Sequence, residues 1–286
     1  MNPQTASTNR QTEELILPRR VQRGDLWQLG RHRLLCGDSR DTKQVKLLMA
    51  GERAQLTITS PPYNLGQNAL LDGTKHRDKS KYLSSTDRQP QIEYLALLQK
   101  VTMNALEVSD TVIVNLQMLA GNKLAFTEYL YNLRENLSDI AIWDKLSAPP
   151  AMGRNILNSQ FEFLILFSSR KRRNNATRTI HTANFRGTVA NVYRGRPQRH
   201  NAYYRVHGAT FPLHLPLWLM ETFDSQQGAV FDPMLGTGTT LIAAEQTGRR
   251  CFGMEVDPLY CDIVLHRFEQ ITGNSARLNW RLPESL

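Results

Sequence analysis

Apolar and polar positions follow two regular patterns from about residue 24 to residue 272. Short β-branched or aromatic runs predict buried strands, while apolar residues every three or four positions predict helices. Strands that alternate with helices predict an α/β fold on a mostly parallel sheet. Strands are expected at 56–59, 111–116, 140–143, 161–167, 229–231 and 250–254, after a hairpin at 24–35. Helices are expected at 41–50, 94–108, 121–136, 215–223, 241–245 and 258–271.

Segments without a clear period divide the chain. Residues 1–22 are polar and are expected to form a mobile arm, and residues 273–286 are expected to form a tail. Residues 168–206 lack any clean period. They are predicted to be a module inserted between a catalytic half at 23–167 and a second half at 207–272. A chain of 286 residues is long enough for one large α/β domain with such an insertion.

The sequence Thr-Ser-Pro-Pro-Tyr-Asn at 59–64 directly follows a predicted strand. The prolines end that strand because neither has an N–H to donate. Ser60 then offers a small acceptor, Pro61 a carbonyl with a fixed direction, and Tyr63 a flat aromatic face. Open α/β sheets bind ligands at this edge, so the set can hold a planar base with an exocyclic amino group. Taken alone, a plain strand terminator beside an unrelated tyrosine explains the motif equally well.

A second motif, Phe-Asp-Pro-Met-Leu-Gly-Thr-Gly-Thr-Thr at 231–240, connects a predicted strand to a predicted helix. Glycines at such a turn let a ligand approach the backbone, and the helix N-terminus offers free N–H groups. Glu255 ends the next strand nineteen positions after Gly236, about where nucleotide-binding units hold a ribose. No Gly-Lys-Ser/Thr follows, which disfavours a phosphate-binding loop. Asp232 suits a ligand with a positive amine, and S-adenosylmethionine carries both an amine and a ribose.

These two motifs resemble the catalytic and cofactor motifs of the DNA amino-methyltransferases. The catalytic motif comes first, an order similar to that of the permuted β-class, in which the recognition region lies between the two. Residues 34–39 resemble the segment that opens the β-class domain, and residues 207–213 resemble the segment that precedes the cofactor motif. The four matches follow the family's order and cover nearly the whole chain.

The resemblance implies a Rossmann-like methyltransferase fold, with a mixed, mostly parallel sheet and helices on both faces. It implies S-adenosylmethionine as the cofactor, and neither a metal nor a covalent intermediate. The implied catalytic residues are Ser60, Pro61, Pro62 and Tyr63. The implied cofactor contacts are Asp38 (at the adenine), Phe211, Asp232, Pro233, Gly236, Gly238, Thr239, Thr240 and Glu255.

The formal net charge of +9 is concentrated in one segment. Between Glu162 and Glu221 there are ten lysines and arginines and no acidic residue, so the rest of the chain is close to neutral. Clustered arginine indicates phosphate binding, and the segment therefore predicts contact with double-stranded DNA. A solvated basic face does not explain so long an interval without acids. The residues expected to contact DNA are Arg170, Lys171, Arg172, Arg173, Arg178, Arg186, Arg194, Arg196, Arg199 and Arg205.

The three cysteines, Cys36, Cys251 and Cys261, lie far apart. This spacing predicts neither a zinc site nor a disulfide framework and favours a cytoplasmic location. None follows a proline, which disfavours the Pro-Cys chemistry of carbon-5 cytosine methyltransferases. No apolar run is long enough to span a bilayer and the N-terminus lacks a signal-peptide pattern, so no membrane partner is expected.

Several functional alternatives remain. In the family that the chain resembles, Ser at the first motif position goes mostly with cytosine N4, and Asp or Asn goes mostly with adenine N6. Ser60 therefore favours cytosine N4, while adenine N6 stays open. Enzymes that modify RNA or protein side chains normally have the opposite motif order, and intact motifs argue against an inactive DNA-binding module. A homodimer and a cognate restriction nuclease are left open as partners.

Overall fold

The computed structural model describes residues 17–64, 89–148, 150, 154–170, 178–197 and 212–282. Its strands are β1 (Asp25–Leu29), β2 (His32–Cys36), β3 (Ala54–Thr59), β4 (Ser109–Leu116), β5 (Leu137–Asp144), β6 (Phe161–Ser168), β7 (Val192–Arg194), β8 (Val230–Asp232), β9 (Cys251–Glu255) and β10 (Arg277–Arg281). Its helices are α1 (Thr42–Met49), α2 (Gln91–Val108), α3 (Lys123–Asn132), α4 (His214–Phe223), α5 (Thr239–Gln246) and α6 (Pro258–Thr272).

All ten strands form one mixed sheet in the order β10-β1-β2-β9-β8-β3-β4-β6-β5-β7. The central strands β2, β9, β8, β3 and β4 are mutually parallel. β6 is antiparallel to both β4 and β5, so β5 runs in the direction of the central strands, as does β7. The predicted mixed, mostly parallel sheet is therefore confirmed.

Helices cover both faces of the sheet. α4, α5 and α6 pack on one face through residues such as Leu219, Leu241 and Val264. α1, α2 and α3 pack on the other through residues such as Leu98 and Phe126. All five side chains are almost fully buried, and each contributes roughly 1.5–3 kcal/mol through the area it removes from water. Within the described part of the chain, no helix has the length and apolarity needed to cross a membrane.

Two strands lie in segments expected to contain none. β10 falls in the expected tail and pairs with β1, and β7 falls in the expected recognition region and pairs with β5. All five residues of β10 are exposed, but its sequence, Arg-Leu-Asn-Trp-Arg, alternates polar and apolar residues as a strand does. β7 has only three residues, too few for a period. β7 therefore escapes detection from sequence, whereas the expectation of a tail at β10 overlooks a strand pattern.

The end of the expected mobile arm is anchored to the body. The backbone N–H groups of Arg20 and Val21 both donate to Asp262 Oδ1, at 3.0 and 3.1 Å. The Arg20 guanidinium pairs with Glu269 at 2.9 Å, and Val21 is buried in the core. Residues 1–16 lie outside the described residues. The anchored part thus starts no later than Arg20, which a polar composition alone does not reveal.

One edge of the sheet collects the polar residues of interest. The carboxyl ends of β2, β9, β8, β3, β4 and β5 lie there because these strands run in the same direction. The antiparallel β6 brings its first residues to the same place. We call this the carboxyl edge. Open α/β sheets bind their ligands at this edge.

Candidate active site

The two sequence motifs meet on neighbouring strands. β3 pairs in parallel with β8, with Thr57 opposite Phe231. Ser60 follows β3 and Asp232 ends β8, so both lie at the carboxyl edge. Glu255 ends β9, the other neighbour of β8. The fold therefore unites two motifs that are far apart in the chain.

Hydrogen bonds from two helical regions fix the backbone of the catalytic motif. The Tyr94 hydroxyl, on α2, donates to the Pro62 carbonyl at 2.7 Å. Asn122 Nδ2, just before α3, donates to the Tyr63 carbonyl at 2.6 Å. Both donors are buried, which keeps competing water away from these bonds. α2 and α3 thus set the course of the chain after the prolines.

The Pro61 carbonyl is placed differently. Among the residues that the structure describes, no donor reaches it, whereas the two carbonyls that follow are both bonded. The proline ring fixes its φ angle and so limits the directions in which this carbonyl can point. It is available to a donor that arrives from outside the described chain.

Asn115 orients the Ser60 hydroxyl. Asn115 is buried near the end of β4, and its Nδ2 donates to the Phe163 carbonyl at 3.2 Å. This bond turns Asn115 Oδ1 towards the catalytic motif, where it lies 3.4 Å from Ser60 Oγ. Since Oδ1 can only accept, the Ser60 hydroxyl donates to it and keeps its lone pairs for an incoming donor.

The Tyr63 hydroxyl lies between three acceptors. It donates to Glu162 Oε2 at 2.6 Å, and it lies 3.1 Å from Asn115 Oδ1 and 3.4 Å from Ser60 Oγ. Glu162 Oε1 accepts a hydrogen bond from Lys145 Nζ at 3.2 Å. The Lys145 and Glu162 side chains are only 12% and 11% exposed. An ion pair thus lies beneath the carboxyl edge, next to Tyr63.

The cofactor motif forms a tight turn before α5. Gly238 has a φ angle of +88°, and a Cβ at this position would lie 3.0 Å from the Val264 side chain. Glycine therefore satisfies both the backbone conformation and the close approach of α6. Gly236 also has a positive φ angle, of 54°. Pro233, the other turn residue of the predicted set, is buried, as is Thr239 at the start of α5.

Asp232 is held at the end of β8 by the turn that follows it. Its Oδ1 accepts from the Met234 N–H at 3.0 Å, and its Oδ2 accepts from the Thr240 hydroxyl at 2.6 Å. The side chain is buried, and burial raises the pKa of Asp232 to about 7 in spite of these hydrogen bonds. The group is poised to change its charge near neutral pH.

Glu255 binds the same turn from the neighbouring strand. Its Oε2 accepts from the Gly236 N–H at 2.8 Å, and its Oε1 accepts from the Asp257 N–H at 3.0 Å. Burial raises the pKa of Glu255 to about 7 as well. Two buried carboxyl groups thus flank the glycine turn. Because each oxygen has a second lone pair, Glu255 can still accept a ligand hydroxyl.

Asp38 lies two residues beyond β2, at the same edge. Arg40 holds its carboxylate with a charged hydrogen bond of 2.6 Å. Burial alone would raise the pKa of Asp38, but the hydrogen bonds and charge of Arg40 outweigh it and lower the pKa. The residue is therefore ionised and oriented. Phe211, the remaining cofactor residue, lies outside the described residues.

The predicted DNA contacts are divided between two places. Arg194 ends β7 at the carboxyl edge, 3.7 Å from Asp144, and Arg196 follows it closely. Arg178 pairs instead with Asp139, near the start of β5 and towards the opposite edge. Arg170 follows the end of β6, which also lies at the opposite edge. Arg186 and Arg178 line the same cavity. Lys171, Arg172, Arg173, Arg199 and Arg205 lie outside the described residues.

Asn115, Glu162 and Lys145 are not among the residues that the sequence motifs predict. They come from β4, β6 and the chain after β5, and only the sheet order brings them to Tyr63. The available signal was a polar residue inside a strongly apolar run. Asn115 interrupts Val-Ile-Val-Asn-Leu, and Glu162 interrupts Phe-Glu-Phe-Leu-Ile. A buried polar residue needs a partner, so each interruption indicates a contact of its own.

Curated relatives match parts of the chain. It is 27% identical over 143 residues to the type II methyltransferase M.Cfr9I of Citrobacter freundii, covering 49% of this chain and 47% of the relative. It is 36% identical over 66 residues to M.MthZI of Methanothermobacter thermautotrophicus, covering 23% and 19%. The chain thus spans between about a fifth and a half of the length of the curated relatives it matches.

Solved structures share the fold over most of the chain. PvuII DNA methyltransferase (cytosine-N4-specific) superposes with a TM-score of 0.62 at 16% identity, covering 88% of this chain and 94% of that one. A DNA modification methylase of Thermus thermophilus, complexed with S-adenosyl-L-methionine, gives a TM-score of 0.54 at 22% identity, with coverages of 85% and 98%. The predicted Rossmann-like methyltransferase fold is confirmed by these likenesses.

The match to a family profile extends further than the curated relatives. The profile of the N6/N4 DNA methylase family matches residues 54–266. This range begins with β3 and ends within α6, so it includes both motifs and the site that they form. The chain therefore belongs to the N6/N4 family of DNA methylases.

Proposed function

We propose that this protein transfers a methyl group from S-adenosylmethionine to the exocyclic N4 of a cytosine flipped out of double-stranded DNA. The observation that carries the proposal is that hydrogen-bond acceptors for an amino group and carboxyl groups for a cofactor lie together at the carboxyl edge. Ser60 and Pro61 offer neutral acceptors, and Asp232 and Glu255 offer carboxyl groups one and two strands away. Membership of the N6/N4 family supports the reaction class.

The residues of the glycine turn fit S-adenosylmethionine. Asp232 and Glu255 are buried carboxyl groups, and neither has a salt-bridge partner in the described part of the chain. A ligand with a positive amine and a ribose supplies the charge and hydroxyl groups that these carboxyls lack. Gly238 keeps the turn open to close approach. When bound, the cofactor supplies an electrophilic methyl group on a sulfonium.

Ser60 and Pro61 supply the acceptors that the amino group of a base needs. An exocyclic amine is a poor nucleophile because its lone pair is delocalised into the ring. Acceptance of its two hydrogens by Ser60 Oγ and the Pro61 carbonyl favours a pyramidal nitrogen whose lone pair points at the methyl group. The Ser60 hydroxyl donates its hydrogen bond to Asn115 Oδ1, so the lone pairs of Oγ are left to accept. Transfer then depends on positioning and polar preorganisation more than on a strong base.

The target base must leave the duplex to reach these acceptors. Tyr63 offers it an aromatic face beside Ser60, and its backbone is held in place by Asn122. Arg194 and Arg196 are exposed at the same side of the sheet and suit the phosphates of the bound duplex. Tyr63 thus provides a place for the base, and the two arginines provide positive charge for the DNA phosphates.

Ser60 is the basis for choosing cytosine N4. In the family that the chain resembles, serine at this position accompanies cytosine N4 more often than adenine N6. Adenine N6 is the second candidate, since the same acceptors suit either amino group. The resemblance also suggests a homodimer and a cognate nuclease, and sedimentation analysis tests the first of these.

The test is mass spectrometry of nucleosides from unmethylated DNA incubated with the protein and methyl-labelled S-adenosylmethionine. We expect labelled N4-methylcytosine. Labelled N6-methyladenine would retain the site and overturn the choice of base. No label on DNA of varied sequence, with S-adenosylmethionine still bound, would overturn the proposed reaction.

A further inference from the structure

A largely buried ion pair lies beside the catalytic motif and has no part in the transfer step proposed for Ser60 and Pro61. Lys145 follows β5, and Glu162 is the second residue of β6. Their charged atoms are 3.2 Å apart and their side chains are only 12% and 11% exposed. Both positions lie at the carboxyl edge because Asp144 pairs with Phe161 across the two strands.

Stability does not account for this pair. Removing two charges from water costs several kcal/mol, and replacing a buried ion pair by apolar residues of similar size is often neutral or stabilising. What the pair contacts is more informative. Glu162 Oε2 accepts the Tyr63 hydroxyl at 2.6 Å, so the carboxylate is shared between an ammonium and a phenol.

Tyr63 is thereby fixed at both ends. Asn122 holds its carbonyl at 2.6 Å, and Glu162 holds its hydroxyl. A phenol has one proton to give, and the shortest of its contacts is the one to Glu162. Lys145 in turn anchors the carboxylate, which would otherwise be free to rotate away. The position of the ring and the direction of its long axis are therefore set before any base arrives.

We infer that Glu162 and Lys145 are positioning residues that hold the Tyr63 ring as a preset stacking face for the target base. The inference rests on the proposed function, because a stacking face matters only if a base enters the site. Neither residue touches the reacting atoms. Their effect reaches the reaction through Tyr63, where a small displacement of the ring misplaces the amino group relative to its acceptors.

A double-mutant cycle tests this dependence on Tyr63. Glu162→Gln keeps an acceptor oxygen but removes the charge that anchors the contact. We expect it to lower kcat roughly five- to tenfold while the Kd for S-adenosylmethionine is unchanged. In a Tyr63→Phe background, which lacks the hydroxyl, the same substitution should cause no further loss. The rates are measured with labelled cofactor on unmethylated DNA at saturating concentrations.

A second variant and a distant control separate positioning from folding. Lys145→Gln combined with Glu162→Gln makes a neutral hydrogen-bonded pair that leaves no charge unpaired, and it should regain stability but not kcat. Asp224→Asn removes the charge from the more deeply buried Arg249–Asp224 pair, whose side chains are 5% and 1% exposed and which lies before β9, away from the carboxyl edge. It should lower the melting temperature without lowering kcat per folded molecule.

The possible results are distinguishable. Loss of kcat that is equally large with and without the Tyr63 hydroxyl would overturn the positioning role and leave the proposed function intact. An unchanged kcat in Glu162→Gln would do the same. Absence of methyl transfer by the unmodified protein would overturn both proposals together.

Discussion

Asp232 and Glu255 are carboxyl groups that the fold buries without a cation to pair with in the described chain. Burial raises the pKa of each to about 7, from ordinary values near 4. The folded state therefore favours their protonated forms, and their contribution to stability is full at acid pH and is lost as the pH rises through 7. A bound cation reverses this preference, since it favours the ionised carboxylate.

The affinity for S-adenosylmethionine should accordingly rise with pH. With a pKa of about 7, Asp232 is mostly neutral at pH 6 and half ionised at pH 7, while the ligand amine remains charged. We expect roughly fivefold tighter binding at pH 7 than at pH 6. Calorimetric titration at the two pH values measures the difference. Asp232→Asn should bind weakly at both, and a pH dependence of the same size in that variant would exclude Asp232 as its source.

Ser60→Ala should abolish methyl transfer while leaving cofactor affinity nearly unchanged. The hydroxyl lies at the end of β3, a strand away from the Asp232 carboxyl, and removal of one preorganised polar group costs roughly 10²–10³ in kcat. Single-turnover rates and cofactor Kd are measured on the same preparation. Thr127→Ala, which removes an exposed hydroxyl from α3, is the matched control. Equal losses of rate and cofactor affinity in Ser60→Ala would contradict the role assigned to the hydroxyl.

Candidate site residues can be proposed from sequence when they are contiguous, but not when only the sheet brings them together. Ser60, Pro61 and Tyr63 stand together in one motif whose polar atoms have an evident chemistry. Glu162 lies 99 positions from Tyr63 along the chain, and nothing near it indicates a phenol as its partner. Contacts of this kind depend on strand order, which local patterns do not encode.

β10 is a whole element that the expectation of a tail leaves out. Its sequence, Arg-Leu-Asn-Trp-Arg, alternates polar and apolar residues, but all five residues are exposed and only the sheet shows that they pair with β1. It is held by backbone pairing to β1 and by the ion pair of Arg281 with Asp25, whose carboxylate is fully buried. The helices are predicted to within a few residues by their apolar runs, although α5 and α6 bury more than one face. α3 differs most from the prediction: it is expected at 121–136 and spans Lys123–Asn132.

Arg281→Ala should destabilise the protein because it leaves the Asp25 carboxylate buried and without its cation. We expect the melting temperature to fall by roughly 2–6 °C. Thermal unfolding followed by circular dichroism measures it. Arg277→Ala, on the same strand, removes an exposed guanidinium and should lower the melting temperature by less than about 1 °C. If the two variants were equally stable, the contact with Asp25 would not be what holds β10.

The positive charge of the molecule is not spread evenly over its surface. Arg194 and Arg196 lie at the carboxyl edge, whereas Arg170 and Arg178 lie towards the opposite one. A duplex that offers a base to Ser60 can reach the first pair but not the second without wrapping round the sheet. The basic composition predicts a nucleic-acid surface, but only the fold shows which arginines share a side with the catalytic motif.

Arg194→Ala combined with Arg196→Ala should weaken DNA binding for all sequences alike and reduce its salt dependence. Each lost phosphate contact lowers the slope of log K against log salt by about one. Arg170→Ala combined with Arg178→Ala removes the same charge and should have a much smaller effect. Fluorescence anisotropy across a range of salt concentrations measures both. Equal slopes in the two double variants would indicate general attraction to the charge instead of contacts at the edge.

The pairing of β1 with β10 has a consequence for how this fold can be encoded. The Leu282 N–H donates to the Gly24 carbonyl at 2.9 Å, so the first and last strands of the described chain run side by side. Joining them by a short linker and opening the backbone at a distant loop would leave every strand pairing in place, as in a circular permutant. The pairing of β3 with β8 depends neither on the joined ends nor on the loop that is opened. The order of the two motifs along a gene is therefore free to change, while the edge at which they meet is not.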